Sequence, residues 1–237
     1  MEPMELYRRC TLCPRECGVD RLEGGRGFCG EDASLRAARA SLHEWEEPCI
    51  SGERGSGTIF FTGCNLRCAY CQNEPLSRGR VGFAITPERL ADVMLRLQER
   101  GAHNINFVTP THFVPHLLLA VPLARERGLT IPTLYNCSGY EKPETLRLLE
   151  GIIGIYLPDF KYRSDALAVR YSASPGYAEK ALEALREMVR QTGSPRYGED
   201  GMLIRGTVVR ILLLPGQEKD AEAVLDLLFD KFENRIL

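Results

Sequence analysis

From Thr58 onward, short apolar runs alternate with longer segments that have helical periodicity. The apolar runs are continuous rather than alternating, which is typical of parallel strands that helices cover on both faces. We predict strands at 58–62, 104–108, 131–136, 152–157 and 207–214, with 235–237 as a candidate sixth. Repeated strand–helix units form a parallel sheet, and about six strands are too few for a complete eight-stranded barrel. The predicted fold class is therefore α/β, a partial (β/α) barrel.

The intervening segments carry helix start and stop signals. Thr86 is a candidate N-cap before a Pro and a Glu, and Gly101 follows the last residue of the apolar stripe. Ser174 repeats this start signal. Pro122 lies inside a helical stretch, where its missing N–H predicts a kink or a break.

Composition excludes several classes of protein. The chain has 237 residues, a formal charge of −2, 44% hydrophobic and 26% charged residues, as in soluble globular proteins. The charge balance gives no reason to expect nucleic acid or a membrane surface as partner. The N-terminus MEPMELYRRC has no signal-peptide core, and the longest nearly apolar stretch, 117–124, is far too short to span a membrane. We expect a cytoplasmic protein, in which clustered cysteines indicate metal or redox chemistry instead of disulfides.

Residues 1–57 differ from the rest of the chain because they hold five of the nine cysteines and eight glycines with little apolar periodicity. We interpret 1–57 as a Cys-rich N-terminal appendage and 58–237 as the barrel. Trp45, with Glu44, Glu46 and Glu47, either covers the barrel mouth or belongs to an ordinary surface segment, and we favour the surface segment. The last residues resemble the start of a further strand, so either the protein is short or the chain is truncated there.

Cys64, Cys68 and Cys71 follow the first predicted strand with the spacing C-x3-C-x2-C. Such a loop can bring three thiolates to one metal centre, and no fourth ligand lies nearby in the sequence. A centre with three protein ligands keeps a position open for substrate. Iron–sulfur clusters are held by short Cys runs of this kind, and zinc is the alternative.

A second set consists of Cys10, Cys13, Cys17 and Cys29, with the spacing C-x2-C-x3-C-x11-C. Four thiolates close a site, so either a structural zinc or an auxiliary [4Fe-4S] cluster is predicted here. A thioredoxin-like C-x2-C is the weaker alternative, because no strand precedes it. Cys49 and Cys137 are interpreted as small buried hydrophobic residues. The alternatives are a cofactor contact for Cys137, at a strand end beside the predicted pocket, and a metal ligand of the appendage for Cys49.

In partial barrels the chemistry lies at the carboxyl ends of the strands. Asp159 and Lys161 follow the fourth predicted strand two residues apart, so they can meet a zwitterionic ligand; a surface ion pair is the alternative. Arg210 lies within a strongly apolar strand and needs a partner there.

The sequence GSGTIFFTGCNLRCAYCQN resembles the radical S-adenosylmethionine (SAM) superfamily, whose signature is three cysteines at this spacing with an aromatic residue before the last, here Tyr70. The same stretch is similar to the branch related to pyruvate formate-lyase activating enzyme. More narrowly, CTLCPRECGVDRLEGGRGFCG and HEWEEPCISG resemble the AmmeMemoRadiSam-system radical SAM enzymes.

This resemblance implies that Cys64, Cys68 and Cys71 bind three irons of a [4Fe-4S] cluster, while SAM chelates the fourth. One electron from the cluster would cleave SAM to methionine and a 5′-deoxyadenosyl radical, which abstracts a hydrogen atom from the substrate. It also implies an electron donor of flavodoxin or ferredoxin type.

The resemblance further assigns cofactor-binding residues. Asp159 and Lys161 match a D-x-K motif that contacts the amino-acid part of SAM, and Arg210 matches an Arg near SAM and substrate. Asn136 and Ser138 occupy a family stretch in which Asn136 replaces an Asp. The segment FVTPTHF stands where many radical SAM enzymes have Gly-Gly-Glu to bind the SAM amino group. The carboxylate is absent here, so either His112 or backbone carbonyls are expected to make this contact. No catalytic residue is assigned.

The predicted function is reductive cleavage of SAM, with hydrogen abstraction from an unidentified substrate. Resemblance to activating enzymes favours a glycyl residue of a partner protein, and modification of another peptide or metabolite is the alternative. From other classes, a non-catalytic zinc-stapled binding protein or a cluster protein that only transfers electrons stays open.

Overall fold

The protein is described here by a computed structural model covering residues 2–237. Its strands are β1 (Arg36–His43), β2 (Ser56–Phe61), β3 (Phe83–Ala84), β4 (Ile105–Val108), β5 (Thr133–Cys137), β6 (Ile155–Phe160), β7 (Arg196–Tyr197), β8 (Leu203–Thr207) and β9 (Arg210–Ile211). Its α-helices are α1 (Pro48–Ser51), α2 (Glu74–Ser77), α3 (Pro87–Glu99), α4 (Val114–Glu126), α5 (Pro143–Arg147), α6 (Asp165–Ser172), α7 (Tyr177–Thr192) and α8 (Glu218–Phe232). Short 3₁₀ helices span Pro3–Tyr7, Thr111–Phe113 and Glu233–Arg235.

The strands form one sheet in the order β3-β1-β2-β4-β5-β6-β8-β7, and β9 also pairs with β6. The pairs β2–β4, β4–β5, β5–β6, β6–β8 and β6–β9 are parallel, while β1 and β7 pair with their neighbours antiparallel. Six strands are thus parallel. The predicted α/β fold with a partial barrel is confirmed.

The first four predicted strands match β2, β4, β5 and β6 with ends that differ by at most three residues. The fifth, predicted at 207–214, is instead two short strands, β8 and β9, because β6 pairs first with one and then with the other. The candidate strand at 235–237 is absent from the described residues. Leu237 makes only two backbone hydrogen bonds, to Thr207 and Val209.

Of the three helix signals in the sequence, the one at Thr86 acts as predicted and those at Pro122 and Ser174 do not. The Thr86 side chain accepts a hydrogen bond from the Arg89 N–H at 3.2 Å and caps α3 as predicted. Helix α4 continues through Pro122 to Glu126, so of the predicted kink or break the break is wrong. The buried residues on both sides of Pro122 pack into the core and hold the helix together. Helix α7 begins after Gly176, not at Ser174.

Two apolar cores lie on the two faces of the sheet. In the larger core, the helices pack against the outer face of the sheet. The smaller lies inside the partial barrel and consists of Ile50, Leu134, Ile155, Leu157, Leu203 and Val208. Helix α1 therefore fills the barrel from within, since Ile50 is fully buried and its carbonyl accepts a hydrogen bond from Asn104 Nδ2 at 2.8 Å.

The N-terminal region contributes to the sheet. Strand β1 lies within 1–57 and pairs with β2 from Ala37 to His43, so only residues 2–35 lie outside the sheet at this end. The division of the chain into an appendage and a barrel stays a prediction. Within residues 2–237, no helix is long and apolar enough to cross a membrane.

Candidate active site

A cavity of about 390 Å³ opens at the carboxyl ends of the parallel strands. It is lined by Cys64, Cys68, Tyr70, Cys71, Asn136, Cys137, Ser138, Asp159, Lys161 and Arg210, with Glu46, His43, Phe60, Thr109 and others. The structure therefore brings together every predicted site residue of the barrel except His112. The loop that carries Cys64, Cys68 and Cys71, called the Cys loop below, therefore lines the same cavity as the polar side chains at the strand ends.

The Cys loop follows β2 through a turn that only glycine fits. Gly63 has a φ of +76°, and a Cβ there would lie 2.5 Å from Glu31 Cγ and 2.9 Å from the Cys29 carbonyl oxygen. L-residues rarely adopt such a φ. The close approach packs the loop against the N-terminal Cys-rich region.

Each thiol of the loop has at least one hydrogen-bonding partner. The Leu66 N–H lies 3.4 Å from Cys64 Sγ, Ser172 Oγ donates to Cys68 Sγ at 3.0 Å, and Cys71 Sγ lies 3.5 Å from Ser77 Oγ. Burial raises the pKa of the Cys64 thiol to about 12. In the absence of a metal this thiol is therefore protonated at neutral pH, and a metal would drive its deprotonation.

Asp159 is the centre of a charged network that lines the same cavity. Lys161 Nζ donates to Asp159 Oδ2 at 2.7 Å, and Arg210 Nε donates to Oδ1 at 2.8 Å. Burial raises the pKa of Asp159, but Lys161 and Arg210 outweigh it and hold the pKa below its usual value. Arg210 Nη2 also donates to Asn136 Oδ1 at 2.6 Å. The carboxylate thus stays ionised and orients two cations toward the cavity.

Backbone contacts fix the loop after β5. Gly139 has a φ of +77°, and a Cβ there would clash with the Asp159 carbonyl oxygen. Tyr177 OH lies within hydrogen-bond distance of the carbonyl oxygens of Ser138 (2.7 Å) and Asp159 (2.9 Å). Ser138 Oγ donates to Asn65 Oδ1 at 3.1 Å, which connects this loop to the Cys loop.

Tyr70 reaches from the Cys loop to α6. Its hydroxyl contacts Tyr162 OH and lies 3.4 Å from Ser172 Oγ, the group that also donates to Cys68. The aromatic residue of the signature therefore supports the second cysteine through a shared serine.

Thr109 follows β4 with a φ of +57° and lines the cavity. This conformation is a genuine outlier for a β-branched residue and costs on the order of 1–3 kcal/mol. The Thr109 N–H donates to the Asn136 carbonyl at 2.9 Å, which holds the turn in place.

The structure places His112 outside the cavity lining, and its assignment to the cofactor site stays a prediction. His112 is buried below the cavity, where Nε2 donates to the Thr62 carbonyl at 2.6 Å. Burial, together with Arg21, lowers its pKa to about 3. His112 lies in the Thr111–Phe113 turn, and Arg21 Nη1 donates to its backbone carbonyl at 2.6 Å.

The N-terminal cysteines lie beside this buried contact. Cys10, Cys13 and Cys29 are buried, whereas Cys17 is exposed and accepts a hydrogen bond from the Phe28 N–H at 3.2 Å. Burial raises the pKa of Cys13 and of Cys29. The metal predicted for this set stays a prediction.

The two other cysteines are not equivalent. Cys49 is half-buried against the inner core and lies outside the cavity lining. Cys137 is buried and lines the cavity. Burial, followed by the neighbouring Glu141, raises the pKa of Cys137 well above its usual value.

The sequence favours a surface segment for Glu46 and Glu47, but Glu46 lines the cavity and Glu47 Oε1 lies 3.9 Å from Arg210 Nε. Glu46 lines the cavity and accepts hydrogen bonds from Asn106 Nδ2 at 2.6 Å and from Asn136 Nδ2 at 3.1 Å. The sequence signal that could have revealed the contact of Glu46 with Asn106 is the pair Asn104 and Asn106, two polar residues at alternate positions of an apolar run. Trp45, in contrast, is 88% exposed.

A family model of the radical SAM superfamily matches residues 58–228, a range that contains the Cys loop and the Asp159 network. The chain belongs to the radical SAM superfamily. Membership in this superfamily implies a [4Fe-4S] cluster and SAM as cofactors.

Two curated relatives come from Methanocaldococcus jannaschii. Uncharacterized protein MJ0674 is 32% identical over 181 residues, which cover 73% of this chain and 51% of the relative. Uncharacterized protein MJ0808 is 23% identical over 201 residues, which cover 78% of this chain and 55% of the relative. The chain therefore spans about half the length of the curated relatives it matches.

Among solved structures, the chain is similar to the crystal structure of QueE from Escherichia coli. The TM-score is 0.40 at 15% identity, over 92% of this chain and 97% of that chain.

The donor set of the cavity fits a cluster better than a single ion. Within residues 2–237, no three Cys, His, Asp or Glu side chains converge closely enough to hold one metal ion. A [4Fe-4S] cluster does not require such convergence, because each thiolate binds a different iron. Three thiols on one wall, beside a carboxylate held between two cations, match a cluster with an adjacent zwitterionic ligand.

Proposed function

We propose that Cys64, Cys68 and Cys71 hold a [4Fe-4S] cluster and that SAM binds between this loop and the Asp159 network. The observation that carries the proposal is that these thiols, Asp159, Lys161 and Arg210 line one cavity. When bound, the cluster supplies the electron that reductively cleaves SAM, giving an organic radical that removes a hydrogen atom from the substrate.

The chain's own residues then bind, orient and shield. Lys161 and Arg210 carry positive charge that attracts the SAM carboxylate, while Asp159 keeps both side chains in place. The Asn65–Ser138 hydrogen bond keeps the loop after β5 at a fixed distance from the Cys loop. Phe60 and Leu212 line the same cavity and exclude water from the reacting atoms.

The experiment is dithionite-dependent formation of 5′-deoxyadenosine by the anaerobically reconstituted protein, measured by liquid chromatography. We expect product from the wild type, none from Cys64→Ala, and a wild-type amount from Cys49→Ala, which removes a thiol outside the cavity. A protein that binds iron and sulfide but forms no 5′-deoxyadenosine with SAM would refute the proposal.

For the substrate, we propose hydrogen abstraction from a glycyl residue of a partner protein, which the similarity of the Cys loop to activating enzymes supports. The test is a protein extract in which glycine alone carries deuterium. Deuterium in the 5′-deoxyadenosine, detected by mass spectrometry, is expected for a glycyl substrate. Product without deuterium would favour another peptide or a metabolite.

We also propose that Cys10, Cys13, Cys17 and Cys29 hold a second metal, either zinc or an auxiliary cluster, and that a flavodoxin or ferredoxin supplies the electron. The spacing C-x2-C-x3-C-x11-C supports this second site, and Cys10, Cys13 and Cys29 are each buried. Metal analysis of the Cys64→Ala, Cys68→Ala, Cys71→Ala triple variant separates the cases: retained zinc or retained iron with sulfide identifies the second metal, and neither would refute the second site.

A further inference from the structure

The segment that joins β1 to β2 enters the partial barrel and presents two carboxylates there. Helix α1 is anchored by the buried Ile50 and by the Asn104–Ile50 hydrogen bond, and Ser51 Oγ donates to the Glu46 carbonyl at 2.9 Å. Glu46 and Glu47 precede this helix directly, so their positions are fixed by a packed element. Their side chains are 10% and 24% exposed.

Glu46 and Glu47 have more hydrogen-bond acceptor atoms than the protein supplies donors for. Both bonded amides reach Glu46 Oε2, whereas the nearest cation to Oε1 is Arg210 Nη1 at 3.6 Å, beyond hydrogen-bond distance. Glu47 Oε2 is buried and has no hydrogen-bond partner among residues 2–237. Such unpaired buried acceptors are costly and rare in folded proteins, and a ligand with donors would satisfy them.

Asn106 gives an independent indication of a missing donor. The residue is fully buried on β4, and its Nδ2 is used by Glu46. Its Oδ1 is buried without a hydrogen-bond partner in the described part of the chain. The amide cannot be reversed without placing its oxygen against a carboxylate, so an unused acceptor stays beside Glu46.

The charges at this end of the cavity do not balance. Glu46, Glu47 and Asp159 face only two cations, Lys161 and Arg210, which leaves one negative charge when all are ionised. Burial, followed by the neighbouring carboxylates, raises the pKa of Glu47 despite Arg210. A bound cation would remove both the charge imbalance and the unpaired acceptors.

We propose that Glu46, which lines the cavity, and the adjoining Glu47 and Asn106 bind a positively charged organic group of the substrate, an ammonium or guanidinium. A compact metal ion fits less well, because no three acidic, Cys or His side chains within residues 2–237 converge on one point. Dispersed acceptors suit a group whose several N–H donors point in different directions. This inference rests on the proposed function, since it names the substrate chemistry of the same cavity.

The test uses n-butylguanidinium and its neutral analogue n-butylurea as probes, with the reconstituted protein saturated with SAM, and measures their binding by saturation-transfer NMR. We expect the cation to bind about tenfold more tightly than the urea, as removal of charged hydrogen bonds predicts. Glu46→Gln and Glu47→Gln should each weaken cation binding about fivefold or more. Glu53→Gln, which removes an exposed carboxylate of the same segment, should not change it.

A peptide-like probe, Nα-acetyl-arginine methylamide, separates two sources of the cation. Tighter binding than n-butylguanidinium indicates a side chain within a polypeptide, and weaker binding indicates a free amine or guanidine. The inference is overturned if the cation binds no more tightly than the urea, if both Gln variants bind it like the wild type, or if it competes with SAM.

The comparison of the cation with the urea needs only the wild type, so it holds even if a variant fails to fold. Failure of the proposed function would appear separately, as absence of 5′-deoxyadenosine from the wild type.

Discussion

The guanidinium of Arg210 on β9 contacts the carboxylate of Asp159 on β6, with Nε donating to Oδ1 at 2.8 Å. The two residues are paired in the parallel register of these strands, so the contact is built into the sheet. Lys161 donates to the other carboxylate oxygen of Asp159, so the Asp159 side chain binds both cations of the cavity.

Asp159→Asn is therefore predicted to disturb both cations. Lys161 would lose its paired carboxylate, and Arg210 would keep only the more distant carboxylates of Glu46 and Glu47, at 3.6 and 3.9 Å. We expect this to lower the free energy of unfolding by about 1–3 kcal/mol. SAM affinity should fall about tenfold or more, measured by equilibrium dialysis. Asp200→Asn is the matched control, because Asp200 is 51% exposed and its removal should cost less than about 0.5 kcal/mol. Unchanged SAM binding in Asp159→Asn would contradict the role of the network.

Gly139→Ala tests the close approach of the loop after β5 to β6. The added Cβ would clash with the Asp159 carbonyl, so we expect weaker SAM binding and a loss of about 2 kcal/mol or more in unfolding free energy. Gly128→Ala is the control, since its φ is +104° but no atom lies within 4 Å of the added Cβ. It carries only the backbone strain of about 1 kcal/mol. Equal effects of the two variants on SAM binding would show that the clash is unimportant.

The elements that were predictable depend on local signals. Continuous apolar runs identified four parallel strands, and the strand-end rule placed the Cys loop beside Asp159 and Lys161. The burial of His112 was not predictable, because Arg21, its partner, lies 91 residues away. The same holds for Glu46, whose partners Asn106 and Asn136 are 60 and 90 residues distant. Such contacts follow from tertiary packing, which a residue pattern does not encode.

Glu141 is predicted to make stability depend on pH. It is buried, and it accepts hydrogen bonds from Thr111 Oγ1 at 2.7 Å and from Tyr135 OH at 3.2 Å. Burial raises its pKa to about 8. The folded protein therefore binds more protons than the unfolded chain between the ordinary pKa and about pH 8, and stability falls as the pH rises through this range.

The measurement is urea unfolding between pH 6.5 and 8.5, where His112, whose pKa is lowered to about 3, is neutral in the folded state. In the wild type, we expect the free energy of unfolding to fall as the pH rises, with a limiting slope of about 1.4 kcal/mol per pH unit. Glu141→Gln should remove this dependence on pH. Glu144→Gln, at a side chain that is 64% exposed, should behave like the wild type. Parallel curves for the wild type and Glu141→Gln would disprove the assignment.

Arg21 is predicted to attach the N-terminal Cys-rich region to the barrel. Its buried guanidinium donates to the carbonyls of His112 and Asp32, both at 2.6 Å, and lies 4.2 Å from the centre of the Tyr7 ring. Arg21→Met leaves both carbonyls without this donor, and we expect a loss of about 2–4 kcal/mol in urea unfolding. Arg26→Met, at an exposed Arg, should cost less than about 0.5 kcal/mol. A loss no larger than that of the control would show that this contact is dispensable.

Electron paramagnetic resonance of the reduced, anaerobically reconstituted protein, with and without SAM, measures directly whether the Cys loop and the Asp159 network share one cofactor site. We predict a [4Fe-4S] signal whose g-values SAM changes, lost in Cys64→Ala and kept in Cys49→Ala. The difference between wild type and Cys64→Ala isolates this signal from any second cluster. A signal that SAM leaves unchanged, or a colourless protein that retains only zinc, would contradict the proposed function.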